Sequence, residues 1–357
     1  ALPCFPLAGP PGAAAALLAD GTLLDEGSIE DDGTLSLCPP PGSISPDTTL
    51  SITVQGAEIA SGAPDVRPFG HALGRLRAYG APTAIAWGQR WIIDEEPFFA
   101  PDPESWYRAA ITSPQLVGQR LFFAGKEHDD DGYRLGMVEL GPDGLEVVAP
   151  AEAPLLEPDA GGWDSLGQVS PTVVDVGDGE VLFYQGLGEG AAVPVLGQAT
   201  STDGRVWEAD GSIYGDASGD KVSHPSALYD EASGVSELWH LSSDGSVALS
   251  LAGDGFTAAC QGLPMRGKSP EVTWAEDRYI MTWATVSHGE AVIRWAESFD
   301  GLRWIERSDP VLWASDAEWT RDGLSNAQLV WLDGQPRLLL VGVSDGEHRF
   351  GLARPEE

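Results

Sequence analysis

A rhythm of proline, tryptophan and a small polar residue runs through this 357-residue chain three times with both of its spacings unchanged. Pro97, Trp106 and Ser113 form one copy, Pro154, Trp163 and Ser170 the next, and Pro310, Trp319 and Asn326 the last. In each copy the tryptophan comes nine positions after the proline and the small polar residue seven positions after the tryptophan. Fixed spacings of this kind mark an internal repeat, which restricts the fold to an array of one supersecondary unit.

The run that follows the small polar residue reads SPQLV (113–117), SPTVV (170–174), HPSAL (224–228), SPEVT (269–273) and NAQLV (326–330), so five units open 57, 54, 45 and 57 residues apart. A second apolar run follows each opening: LFFAG, VLFYQG, ELWHL, YIMTWA and RLLLVG. A third follows that: LGMVE, LGQAT, VALSL, IRWAE and FGLAR. Asp-Gly turns come next, clearest in STDGRVW (201–207) and SFDGLRW (298–304). Asp-Gly favours a hairpin because glycine accepts positive φ, and a fourth strand is expected after it. Short strands, four to a unit and five units long, predict an all-β chain folded as a five-bladed β-propeller.

The last unit ends after three strands, while GQRWIIDEEPFF (88–99) matches GLRWIERSDPVL (301–312) in the distance from tryptophan to proline. The strand near 88–93 is therefore expected to complete the final blade within a propeller spanning 71–357. Residues 1–70 do not follow the repeat and are expected to form a small β-rich N-terminal extension. The proline–tryptophan rhythm becomes the connection from one blade's outer strand to the next blade's inner strand. Trp106, Trp163 and Trp319 then either pack between blades or offer aromatic faces to a sugar.

Composition narrows the partners. Fifty-five acidic residues against 20 basic ones give a formal charge of −35, which argues against nucleic acid, whose phosphates are bound by clustered Lys and Arg. KEHDDDG (126–132) lacks the twelve-residue calcium pattern, so neither metal nor other cofactor is expected. Cys4 and Cys38 could pair in an exported protein, leaving Cys260 as a small buried hydrophobe. No transmembrane segment is expected, because no apolar run reaches the length of a bilayer span. Few lysines, many tryptophans and abundant Gly/Asp turns suit a secreted, cell-surface or periplasmic monomer.

In propellers the inner strands surround a channel and ligands sit at its mouth. The residues that open those strands, Ser113, Ser170, His224, Ser269 and Asn326, are expected to form a polar ring there. They either hold channel water or bind a carbohydrate or other small polar ligand. Lys268 lies beside Ser269, and with His224 it could meet an anionic group.

The residue-Pro-x-Val openings, the VLFYQG-type second strands and the STDGRVW and SFDGLRW turns resemble the five-bladed propeller glycoside hydrolases. That group includes arabinanases, arabinofuranosidases, xylosidases, invertases and mannoside phosphorylases. The resemblance implies an Asp before an inner-strand proline and a Glu near a later strand start, as in Glu-Gly-Pro. Their chemistry needs two carboxylates flanking the glycosidic bond. Here Ser113, Ser170, His224 and Ser269 stand before the proline, and Thr112, Val169, Ser223 and Lys268 two before it. Asp164, Glu271 and Asp322 are the acids that could substitute, Glu271 because an inner-strand carboxyl would have a perturbed pKa. Two readings stay open: a carbohydrate-binding propeller without the family's usual catalysis, or a divergent hydrolase with relocated carboxylates. A surface scaffold that binds no glycan is the remaining alternative.

Overall fold

The computed structural model describes residues 90–356 apart from 130, 190–193, 215–221, 232–233, 243, 253–255, 276–277, 299–300 and 303, together with the backbone of five strands within 5–55. Two compact units divide the chain, Ala1–Ala86 with Phe299–Arg303, and Trp87–Ser298 with Trp304–Glu357. In the first unit Phe5–Ala8 pairs with Thr34–Leu37, and Ala14–Ala19 lies between Thr22–Ser28 and Leu50–Gln55. Cys4, Cys38 and the Cys260 side chain lie outside the described residues.

The second unit is a five-bladed β-propeller built of antiparallel sheets. Blade 1 runs from the inner strand Ala110–Val117 through Arg120–Lys126 and Arg134–Leu140 to the outer Val147–Ala149. Blade 2 comprises Gly167–Asp175, Glu180–Leu187, Val195–Ser201 and Glu208–Tyr214, and blade 3 Ser223–Asp230, Val235–Leu241, Ser246–Ala252 and Phe256–Arg266. Blade 4 has Lys268–Ala275, Arg278–Ser287 and Glu290–Ser298, with an outer edge divided between Ile305–Glu306 and Leu312–Trp313. Blade 5 has Gly323–Leu332, Gln335–Ser344 and Glu347–Pro355, and its outer strand is Trp91–Ile93, from ahead of blade 1. Ile93 pairs with Ala353 and Trp91 with Pro355, so the two ends of the propeller share one sheet and its edges are covered.

Each blade is too thin to bury its own faces, and the apolar core lies in layers between neighbours. Phe99, Tyr107, Phe123, Leu339, Val341 and Phe350 join blades 5 and 1, while Phe122, Leu135, Leu182 and Tyr184 join blades 1 and 2. Trp239, Met265, Tyr279 and Met281 join blades 3 and 4. Asp-Gly turns close the third hairpin of blades 1 and 2: Asp203 Oδ1 accepts the N–H groups of Arg205 and Val206, and Asp143 Oδ1 those of Leu145 and Glu146. Those bonds hold both carboxyls below the ordinary range, and Gly204 and Gly144 take the positive φ of 69° and 72°.

The tryptophans of the repeat lie over pairs of glycines in the blade they introduce. A Cβ on Gly125 or Gly136 would meet Trp106 at 3.3 and 2.6 Å; on Gly186 or Gly197 it would meet Trp163 at 2.3 and 2.0 Å. On Gly342 or Gly351 it would meet Trp319 at 2.3 and 2.4 Å. One glycine of each pair stands on the second strand and the other on the third, leaving a bare patch on which the indole is laid. Trp106 Nε1 donates to Ala151 O and Trp319 Nε1 to Asp94 O, so two of the rings are also fixed at their polar edge. Blades 3 and 4 have no such tryptophan, and the register puts Ser242 with Ala248, and Thr285 with Arg294, at the glycine positions. The rhythm of the sequence is thus half of a lock whose other half is the glycine pair.

Candidate functional site: the ring and belt at the inner-strand starts

Ser113, Ser170, His224, Ser269 and Asn326 share one unusual conformation. Their φ angles are 52°, 54°, 53°, 48° and 42°, in the left-handed region that L-residues avoid. The ladder explains where this comes from. Between Thr112 and Gln115, Val169 and Thr172, Ser223 and Ser226, Lys268 and Glu271, and Ser325 and Ala327, the inner strand carries one residue more than its partner. Each blade therefore has a β-bulge at the same point, with the ring residue inside it. Glycine would take this conformation without strain, and none of the five is glycine.

Two of the side chains meet directly. Ser113 Oγ and Ser170 Oγ lie 3.5 Å apart across the first two blades. Ser113, Ser170, Ser269 and Asn326 are buried and His224 is half-buried, its backbone N–H donating to Gln185 Oε1 at 3.2 Å. Lys268, immediately before Ser269, is exposed. Trp106 and Trp163 are half-buried, while Trp319 is buried.

Two residues beyond each ring position, a second circle of side chains stitches the blades together. Gln115 Oε1 accepts Val173 N–H, Thr172 Oγ1 accepts Ala227 N–H, Ser226 Oγ accepts Val272 N–H, and Gln328 Oε1 accepts Leu116 N–H, at 2.6 to 3.0 Å. Each acceptor stands two residues after its own bulge residue, and each donor three residues after the next one. Four of the five seams follow this rule with neutral side chains. At the fifth, between blades 4 and 5, the equivalent residue is Glu271.

Glu271 departs from the belt. Its Oε1 accepts Asn326 Nδ2 at 3.3 Å, and the seam is held instead by Thr273 Oγ1, which donates to Leu329 O at 3.2 Å, and by Thr282 Oγ1, which donates to Ala327 O. The residue keeps some accessible surface, yet protein on all sides pushes its carboxyl up to about 8, and the Asn326 bond offsets only part of that rise.

The other two candidate acids have different surroundings. Asp164 is buried and satisfied: Oδ1 accepts Asp159 N–H at 2.8 Å, and Oδ2 accepts Gln168 Nε2 at 2.7 Å and the Tyr184 hydroxyl at 3.4 Å. It organises the connection into blade 2, and its charge raises the Tyr184 hydroxyl further after burial has done so. Asp322 is exposed, caps the backbone of Asp345 at 2.7 Å, and lies about 13 Å along the strand from Asn326 at the rise of a β-strand. Among the described residues, no three His, Cys, Asp or Glu gather to hold a metal ion, and no helix is long and apolar enough to cross a membrane.

The five ring positions could be read from the sequence, but the bulge could not, because four of the five precede proline, where a residue is biased to extended backbone. The belt was also missed. Gln, Thr, Ser, Glu and Gln have no single type in common, and only their common offset from the ring would have pointed to them.

Strain in the ring predicts a measurable effect. Ser170→Gly should raise stability by about 1 kcal/mol, the cost of holding an L-residue in this region less one weak hydroxyl contact. Urea unfolding would read it, and a loss of stability would show that the hydroxyl contributes more than the strain costs.

No family model matches the chain, and no curated protein matches it by sequence. Solved structures do. A glycosyl hydrolase from Bacteroides ovatus superposes with a TM-score of 0.60 at 13% identity, over 76% of this chain and 95% of that one. A structure from the mannoside phosphorylase family, described as containing hydrolases that target β-1,2 mannosidic linkages in Candida mannan, gives 0.59 at 14% identity, over 75% and 95%. An exo-1,5-α-L-arabinanase from a bovine ruminal metagenomic library gives 0.51 at 14% identity, over 70% and 97%. At these identities the likeness is one of fold: the chain has the five-bladed architecture of glycoside hydrolases.

Proposed function

We propose that the propeller is an exported carbohydrate-binding protein whose site is the ring at the inner-strand starts. The observation that carries this reading is the repeated left-handed conformation of Ser113, Ser170, His224, Ser269 and Asn326. Five non-glycine residues in a region costing roughly 1 kcal/mol or more apiece imply that the side chains are retained for use. Hydroxyl, imidazole and amide groups are donors and acceptors suited to sugar hydroxyls. The fold shared with glycoside hydrolases supports the ligand class, by analogy. Export rests on the lysine-poor, tryptophan-rich and turn-rich composition.

Hydrolysis by the usual mechanism needs two carboxylates about 5–9.5 Å apart on either side of one glycosidic bond. Glu271 favours the second reading, a divergent hydrolase, because it is a carboxyl protonated near neutral pH beside a ring residue. Asp164, with three hydrogen-bond donors of its own, and exposed Asp322 are poorly placed to serve as its counterpart.

The test is equilibrium binding to arabinan, xylan, fructan and β-1,2-mannan oligosaccharides, with release of reducing sugar followed in parallel. Binding with no turnover is expected. Turnover abolished by Glu271→Gln would establish the enzyme instead, and absence of both would leave a scaffold.

A further inference from the structure

The belt contains a discontinuity that its own logic does not require. In blades 1 and 5 glutamine occupies the belt position and accepts the neighbour's N–H through Oε1. Glutamine would do the same in blade 4. A carboxyl stands there instead, turned out of the seam and onto Asn326, while Thr273 and Thr282 hold the two blades together.

Bond direction then specifies what the pair presents. Asn326 Nδ2 donates to Glu271 Oε1, so Oε1 is the carbonyl oxygen and the carboxyl proton sits on Oε2. Oε2 has no protein partner among the described residues, and neither does Asn326 Oδ1. One hydrogen-bonded pair at the ring thereby carries both a proton donor and an acceptor. We propose that Glu271 and Asn326 form a ligand subsite in which the neutral carboxyl donates from Oε2 and the amide accepts at Oδ1, taking a pair of neighbouring hydroxyls on a neutral sugar. One sugar hydroxyl accepts from Oε2–H while its neighbour donates to Oδ1. This inference rests on the carbohydrate reading and names the chemistry of one part of its site.

The surroundings keep the carboxyl neutral. The packed elements carry Lys268 on its own strand, His224, Tyr229 and Asp230 on the inner strand of blade 3, Glu237 and His240 on that blade's second strand, and Arg278 and Tyr279 on the second strand of blade 4. None exerts a resolved charge effect on Glu271, and the inner strand of blade 5 contributes no ionisable group. Burial is the dominant cause, and it places the loss of the proton at about pH 8.

The experiment titrates binding of the best oligosaccharide from the arabinan, xylan, fructan and β-1,2-mannan panel between pH 6 and 9.5, for wild type, Glu271→Gln and Glu271→Leu. The wild type is expected to bind about thirty-fold more weakly at pH 9.5 than at pH 6, since only the protonated form presents the donor. Glu271→Gln keeps a carbonyl for Asn326 and an N–H for the sugar, so it should bind at both pH values with no such dependence. Glu271→Leu should lose at least ten-fold at pH 6. A wild-type affinity that is flat with pH, or Glu271→Gln losing affinity at pH 6 as Leu does, overturns the subsite while the ring reading stands. If no panel sugar binds wild type at pH 6, the ring reading itself fails.

Discussion

Trp319→Ala is expected to destabilise the propeller by about 3–5 kcal/mol, the range for removing a large buried aromatic side chain. The indole is buried, lies against Gly342 and Gly351, and donates through Nε1 to the carbonyl of Asp94 beside the closing strand. Its loss would leave a cavity over two glycines that cannot fill it and would loosen the joint between the propeller's first and last strands. The reciprocal change should also be costly. A Cβ on Gly342 would stand 2.3 Å from Trp319 and 2.6 Å from Thr320 Cγ2, so Gly342→Ala should cost on the order of 1–3 kcal/mol. Combining the two changes should recover part of the loss, because alanine at 342 meets no ring once Trp319 is gone. Chemical denaturation of the two single variants and the double variant would measure the cycle. A Trp319→Ala loss below about 1 kcal/mol would contradict the packing role.

The second large effect is a pH dependence of stability traced to Glu271. Its carboxyl lies at about 8 in the folded chain against an ordinary value of 4.5, so the folded state holds a proton that the unfolded state has released over that interval. Stability from this group is fully present below pH 4.5 and is lost as pH rises through about 8. At 1.36 kcal/mol per pH unit the whole interval bounds the loss at roughly 4–5 kcal/mol, with the steep part complete by about pH 9. Glu271→Gln has no proton to lose. The stability difference between variant and wild type should therefore grow in the variant's favour from pH 5 to pH 9. Other acids, such as Asp143, Asp203 and Asp244, are held low by hydrogen bonds and contribute slopes of opposite sign, but these cancel in the difference. Unfolding midpoints at five or six pH values suffice, and parallel curves for the two proteins would show that Glu271 ionises normally.

Much of this architecture is legible in the chain because the repeat preserves positions rather than residues. Five run starts named Ser113, Ser170, His224, Ser269 and Asn326, and those five residues carry the bulges. The LFFAG and LGMVE runs contained the glycines, yet nothing local tied Gly125 and Gly136 to Trp106, because the contact forms only after the sheet has paired. Asp164 looked available next to Trp163; its donors come from Asp159, Gln168 and Tyr184, and the last of these reaches it only through sheet formation. Glu271 was singled out for crowding on an inner strand. The belt that makes it exceptional is a relation among five blades, and no single segment contains it.

Bulge and belt together show how a ring of strained side chains is maintained on a repeated scaffold. The belt closes four seams through neutral side chains and leaves the ring residues free of that duty. Strain at the ring is then tolerated because the ladder resumes on either side of each bulge.

The central claim is that these strained side chains exist to hold a ligand, and a variant with Ser113, Ser170 and Ser269 all changed to glycine tests it most directly. Glycine accepts the backbone conformation of all three sites and deletes only the side chains. Binding of the oligosaccharide panel by this variant, measured by titration calorimetry beside its melting temperature, separates use from architecture. The account predicts a protein at least as stable as wild type that binds at least ten-fold more weakly. A stable variant that binds as wild type does, or a wild type that binds none of the panel, would contradict it.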